Sequence, residues 1–240
     1  MNNINLCCFA DENMNLSQDR LIKSFIAHGG NSDKVFRYSK KNGVYDFEMP
    51  DVSTDSERGC NYWAWKPFVI KSALNNLRYG EWLIYIDSGI EIIKDLSSLI
   101  LPTYDITVFH NRFAHMDWCK MDTLKEIIPY FDDRQRKQMQ ASVILLRKSF
   151  DAEMLISNWM YYCRQKALID DTPSVLPNIE TFKEHRHDQA ILTNLIIDAI
   201  NENWRTIKVL EWDLFVTYPN HIINNNTLFL HHRMRNQEYR

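Results

Sequence analysis

Gly80-Glu81-Trp82-Leu83-Ile84-Tyr85-Ile86-Asp87-Ser88-Gly89-Ile90-Glu91 is an apolar run framed by two glycines and closed by a carboxylate. Trp82 to Ile86 is too short for a buried helix and has the length of a strand covered on both faces. Upstream, Pro67 suits the first turn of a helix carrying Ile70, Leu74 and Leu77, with Gly80 as its stop. Earlier still, strands are predicted over residues 4–9 and 34–38. Between them Ser17 is expected to cap a helix with Leu21, Ile22, Phe25 and Ile26 on one face, ended by Gly29-Gly30. Downstream, strands are expected over 105–109, 142–146, 207–210 and 227–230. Helices are expected over 124–131, interrupted by Pro129, over 188–200, and from a Ser149 cap with Leu155, Ile156, Trp159, Met160 and Cys163 inward. Without repeat or linker, the chain reads as one domain over 1–240. Strands alternating with helices predict an α/β fold, a mostly parallel central sheet flanked by helices. Ligands of such sheets bind beyond the carboxyl ends of the strands.

Composition narrows the function classes. Of 240 residues 45% are apolar and 25% charged, and the net charge is −3, the profile of a globular protein with a full core. That charge argues against nonspecific nucleic-acid binding. The glycines stand at 29, 30, 43, 59, 80 and 89, so neither a G-x-G-x-x-G dinucleotide turn nor a G-x-x-x-x-G-K phosphate loop exists. The cysteines, at 7, 8, 60, 119 and 163, include no C-x-x-C and fit no disulfide framework, which points to a reducing, cytoplasmic setting. No apolar run has membrane-spanning length, and Ile4 to Ala10 reads as a strand rather than a signal peptide.

Four segments carry groups suited to chemistry. Asp87, at a strand end, can ligate a hard cation, and Gly89 allows a close backbone approach. In an extended chain Asp87, Gly89 and Glu91 share a face, so Glu91 is a candidate second carboxylate. Asp188 and Gln189 open a helix, where an acid is favoured either as a first-turn residue or as a base or charge stabiliser. His231, His232, Arg233 and Arg235 follow a strand, and the set suits a cation bound to a diphosphate. Alternation would turn only one of the two imidazoles towards it. Arg58-Gly59-Cys60-Asn61-Tyr62-Trp63-Ala64-Trp65-Lys66-Pro67 gathers aromatic and cationic groups before a helix start. Residues 113–123, with Trp118 and Lys120, and residues 170–183, with Pro173 and Pro177, are candidate loops for ligand contact or closure.

Tyr62-Trp63-Ala64-Trp65-Lys66-Pro67 followed by Tyr85-Ile86-Asp87-Ser88-Gly89 resembles small bacterial and viral glycosyltransferases of the GT-A fold, a Rossmann-related α/β domain. Gln140 to Leu146 is similar to the acceptor-side strand of that group. Asp188-Gln189 with Asn194 resembles the D-Q-x-x-x-x-N helix start of glycogenin-like galactosyltransferases, and His231 or His232 falls where those carry a metal-ligating histidine. The sequence departs from the group at the D-x-D motif, where it reads Asp87-Ser88-Gly89.

The resemblance implies a glycosyltransferase of polysaccharide biosynthesis that moves a sugar from a nucleoside diphosphate donor, a UDP-sugar by analogy, to a glycan or other hydroxyl acceptor. It implies a divalent cation, Mn2+ or Mg2+, weakened by the missing second Asp and held by Asp87 with His231 or His232. It assigns donor contacts to Phe9, Ala10, Asp11, Trp65, Lys66, Asp87, Ser88, Gly89 and Arg233, acceptor contacts to Gln140, Ser142 and Trp118, and catalysis to Asp188 and Gln189. If the protein is viral, the setting is the host cytoplasm. Two rival readings use the same residues. One is a metal-dependent phosphodiesterase or nuclease built on Asp87, Glu91, Asp188 and the histidines, and the other a non-catalytic nucleotide-sugar or glycan-binding module.

Overall fold

The computed structural model describes residues 4–49, 56–217, 223–232 and 234–236. Its strands are β1 (Ile4–Ala10), β2 (Val35–Lys41), β3 (Val44–Tyr45), β4 (Trp82–Ile86), β5 (Ile90–Ile92), β6 (Ile106–Ala114), β7 (Lys137–Met139), β8 (Val143–Arg147), β9 (Ile207–Leu210), β10 (Phe215–Thr217) and β11 (Phe229–His231). The helices are α1 (Asn15–Ala27), α2 (Lys66–Asn75), α3 (Met121–Ile127), α4 (Phe150–Cys163), α5 (Lys166–Ile169) and α6 (His187–Asn201).

The central sheet has the order β3-β2-β1-β4-β8-β6-β7, with β9 also paired to β6. Strands β1, β2, β4, β6 and β9 run one way and β3, β7 and β8 the other, so the sheet is mostly parallel, as expected. Every residue of β1 and β4 is buried, which accounts for their largely apolar sequences, and the one polar residue among them, Asn5, donates its amide to Trp82 C=O at 2.8 Å. Helices α2, α4 and α6 cover one face, around Trp159, Ile70 and Leu192, while α1 and a smaller sheet, β10-β11-β5, cover the other. Both faces are therefore sealed, and the open edge lies where β1 and β4 end.

Local signals act as the sequence suggests in several places. Pro67 sits in the first turn of α2, and Ser149 caps α4 by accepting from the Ala152 N–H at 3.3 Å. Three expectations need correction. Helix α1 starts at Asn15, a turn earlier than a Ser17 cap would allow, because the Asp11 turn (Met14 N–H to Asp11 C=O, 3.0 Å) already launches it. Helix α3 lies at Met121–Ile127 and stops ahead of Pro129 rather than being interrupted by it. Glu91 is carried into β5 of the small sheet, since the turn closed by Ile90 N–H to Asp87 C=O breaks the alternation that would have kept it beside Asp87.

Candidate functional site

A cleft of about 1400 Å3 opens where β1 and β4 end. Phe9, Ala10 and Asp11 line it from β1, Asp87, Ser88 and Gly89 from β4, and Asp188 and Gln189 from the start of α6. Tyr85 and Ile86 deliver Asp87, and the Asp87 N–H donates to Ser142 C=O at 2.8 Å, so the turn is anchored to the chain entering β8. The Ser88 hydroxyl donates to Phe9 C=O, tying the ends of β1 and β4 together. A shallower depression of about 420 Å3, lined by His110, Asp133, Gln135, Arg136 and Lys137, contains none of these groups.

Lys66 is the centre of the cluster. It is 3% exposed, with its Nζ 3.1 Å from Asp188 Oδ2, 3.2 Å from Asp87 Oδ1 and 3.1 Å from Ala141 C=O. Burial opposes its charge, but Asp188 and then Asp87 outweigh that and hold its pKa above the ordinary lysine value. Asp188 is pushed up to about 6, first by burial and further by the Asp87 charge, against the pull of Lys66. Buried Tyr85 stays protonated and donates to Asp87 Oδ1 at 2.6 Å. Two carboxylates from different elements thus share one ammonium at the floor of the cleft.

Trp65 lines the cleft but is only 5% exposed and packs on Phe9 with ring centroids 4.0 Å apart, so most of its surface is spent on the core. Its indole N–H donates to Gly59 C=O at 2.9 Å. That bond pins a backbone turn the sequence did not announce. Gly59, Cys60, Asn61, Tyr62 and Trp63 all have φ between 51° and 70°, a left-handed run in which only the first residue is glycine. L-residues pay about 1–2 kcal/mol each for this conformation, and such strain persists only where surrounding contacts enforce it. Here the enforcement comes from Arg58, paired to Asp171 at 3.1 Å and Glu184 at 3.4 Å, and from the His187 ring lying on Tyr62 and Trp63.

The other sequence candidates divide. Gln140 and Ser142 line the cleft. Gln189 lines it too, but its amide is engaged, accepting from Ala141 N–H at 3.3 Å and donating to Gln138 at 2.6 Å. His231 and Arg235 line the cleft. His232 does not: it is buried, its Nδ1 accepts from Met234 N–H, and burial lowers its pKa to about 4. Arg233 lies outside the described residues. Trp118 is set back from the cleft wall between Phe113 and the Arg186 guanidinium. Lys120 is buried and spends its ammonium on Ala167, Asp170 and Thr172, pinning a loop. Asn194 is also internal, bonding His115 at 2.6 Å and Thr123 C=O at 3.1 Å, so it fastens α6 to α3 and reaches no ligand. Lys40 and Asn111 line the cleft although nothing in their local sequence marks them, and Arg58 and Phe113, each at the start of a segment that the sequence does mark, line it too.

Among the described residues no three His, Cys, Asp or Glu side chains gather into a metal cage. No helix among them is long and apolar enough to cross a membrane. The sequence matches no family model and no curated protein. Solved structures do match. A glycosyltransferase involved in glycosylation of the major capsid of PBCV-1 aligns with a TM-score of 0.52 and 13% identity over 95% of this chain and 92% of that one. The bifunctional glycosyltransferase WbbM aligns at 0.55 and 14% over 97% of this chain, which spans 46% of WbbM. Mouse xyloside xylosyltransferase 1 aligns at 0.51 and 10%, over 96% and 97% of the two chains. At these identities the likeness is one of fold, and the fold is GT-A-like.

Proposed function

We propose that the protein is a glycosyltransferase that moves a sugar from a nucleoside diphosphate donor to a hydroxyl acceptor. One observation carries the reading: Asp188 is buried at the cleft floor at the carboxyl ends of β1 and β4, with Lys66 between it and Asp87. The three aligned glycosyltransferases supply the chemistry that such a cleft would serve on this fold. A two-cation phosphodiesterase fits less well, because an ammonium already sits where bridging carboxylates would hold metal.

A divalent cation fits as a donor-dependent ligand. Cations of this kind are held by one or two carboxylates plus substrate phosphates rather than by an all-protein cage. Asp87, whose Oδ1 is shared with Tyr85 and Lys66, offers Oδ2, and His231 stands on the same cleft. The cation would neutralise charge on the departing diphosphate. Lys40 and Arg235 add positive charge on the cleft walls for the phosphates. Asp188 would face the anomeric carbon, where its ionised form would either take the acceptor proton or stabilise positive charge on the sugar. Lys66 holds that carboxylate in place and keeps it ionised at neutral pH.

The test is consumption of a panel of nucleotide sugars, with Mn2+, Mg2+ or chelator, by the native protein and Asp188→Asn. Turnover of at least one donor is expected, falling by roughly 10²-fold in the variant, with donor affinity much less affected. Hydrolysis of phosphodiesters without use of any sugar donor would overturn the reading.

A further inference from the structure

Phe113 is 46% exposed, and among the described residues it is the one large exposed apolar side chain that lines the cleft. It stands near the end of β6, where the register with β7 shifts between His110 and Ala114. Such irregularities re-aim side chains at the rims of sites. Period-two alternation puts Asn111 and Phe113 on the cleft side, while Arg112 turns away and stacks its guanidinium 3.5 Å above Trp212.

The ring is held rather than loose. It leans on Trp118 with centroids 5.0 Å apart, and Trp118 is backed by the Arg186 guanidinium at 4.3 Å. The Phe113 N–H donates to Asn111 Oδ1 at 2.9 Å, and the Arg186 N–H to Trp118 C=O at 3.0 Å. Arg186 precedes α6 by one residue, so the platform and Asp188 share one mount.

Sheet order places this platform. The donor residues lie on β1 and β4, and Phe113 lies on β6, two strands beyond β4 with β8 between. At about 4.8 Å per strand that is about 10 Å, room for a sugar ring beside the reacting centre. The cleft-lining side chains on β6 and on the segment entering β8 are Asn111, Phe113, Gln140, Ala141 and Ser142, none of them charged. Amide and hydroxyl groups that can both donate and accept match sugar hydroxyls, and an exposed aromatic face matches the C–H face of a pyranose.

Resting on the transferase reading, we propose that Phe113 is the floor of the acceptor subsite and that the acceptor group seated there is an uncharged pyranose. Saturation-transfer NMR would test it with the methyl β-glycosides of glucose, galactose, mannose and xylose, with UDP and Mg2+ present. The native protein should saturate the ring protons of at least one glycoside. Phe113→Ala and Phe113→Leu should weaken that binding about tenfold, Phe113→Trp should retain it, and UDP affinity should stay within about threefold in all three. Failure of the native protein to bind any of the four, or binding by the Ala and Leu variants as tight as that of the native protein, would overturn the subsite. A protein that binds a glycoside through Phe113 yet consumes no nucleotide sugar would keep the subsite and sink the transferase reading. One that consumes donor while binding glycosides regardless of Phe113 would do the reverse.

Discussion

Lys66 holds its ammonium 3.1 Å from Asp188 and 3.2 Å from Asp87 with almost no contact with water. Removing one partner of such a cluster leaves the others uncompensated, so Lys66→Met should cost about 3–5 kcal/mol of unfolding free energy by denaturant titration. Adding Asp188→Asn should restore part of that loss. If the single variant is as stable as the native protein, the cluster is not held as drawn. The pKa of Asp188, raised to about 6, also fixes a pH response. In the unfolded chain this acid titrates near its ordinary value of about 3.9. The folded protein therefore binds the extra proton between those values, and the contribution of Asp188 to stability falls as pH rises from about 4 to about 6. Lys66 contributes in the alkaline range, since its raised pKa gives stability that is present below the ordinary lysine value and lost as pH rises through the folded one. Activity should run opposite to the Asp188 stability contribution. On the proposed function the ionised carboxylate does the chemistry, so the transfer rate should drop as pH falls through about 6, and Asp188→Asn should lack that inflection. A native rate profile flat from pH 5 to 8 would remove Asp188 from the reaction.

The left-handed run at Gly59–Trp63 forms one wall of the cleft. Gly59 has φ +59°, and a Cβ there would lie 2.3 Å from the Trp63 ring. Gly59→Ala should therefore cost more than the about 1–2 kcal/mol of a left-handed L-residue. It should also weaken UDP binding, because the Gly59 carbonyl holds the Trp65 indole. Calorimetry with UDP and a thermal melt check both, and unchanged values would show the turn to be free to adopt another form. Nothing in Cys60-Asn61-Tyr62-Trp63 foretells this conformation beyond the neighbouring glycine and the tolerance of Asn61, since tertiary contacts impose it. By contrast β4 falls at the predicted residues, because an apolar run between glycines admits little else. Strands β3, β5, β7 and β10 are two or three residues long, too short for any period to show. The reversed direction of β8 was equally hidden, as alternation carries no sense of direction.

At the scale of the whole molecule, the cleft is closed by joining chain segments far apart in sequence. Asp87 and Asp188 were legible as separate strand-end and helix-start acids, but only the fold reveals Lys66 between them and brings His231 to the same cleft by way of the small sheet. That sheet leads into the stretch at 234–236, which is strapped to α1. Ser17 donates to the carbonyls of Met234 and Arg235, Arg20 Nη2 reaches Arg235 C=O at 2.8 Å, and the Leu16 N–H donates to Asn236 Oδ1 at 3.0 Å. Ser17, predicted as a cap, thus serves to hold the far end of the chain. The strap positions Arg235 on the cleft and steadies His231 four residues before it. Its bonds are few and border solvent, so their loss should open the segment locally rather than unfold the protein. Ser17→Ala with Arg20→Ala is expected to speed amide exchange at 231, 232 and 234–236 and to weaken UDP binding by about tenfold, a loss of about 1.4 kcal/mol. Exchange in β1 and β4, buried throughout, should be unaffected. Faster exchange with undiminished UDP affinity would show that Arg235 and His231 lie by the donor without holding it, and the phosphate charge would then fall to Lys40 and Lys66.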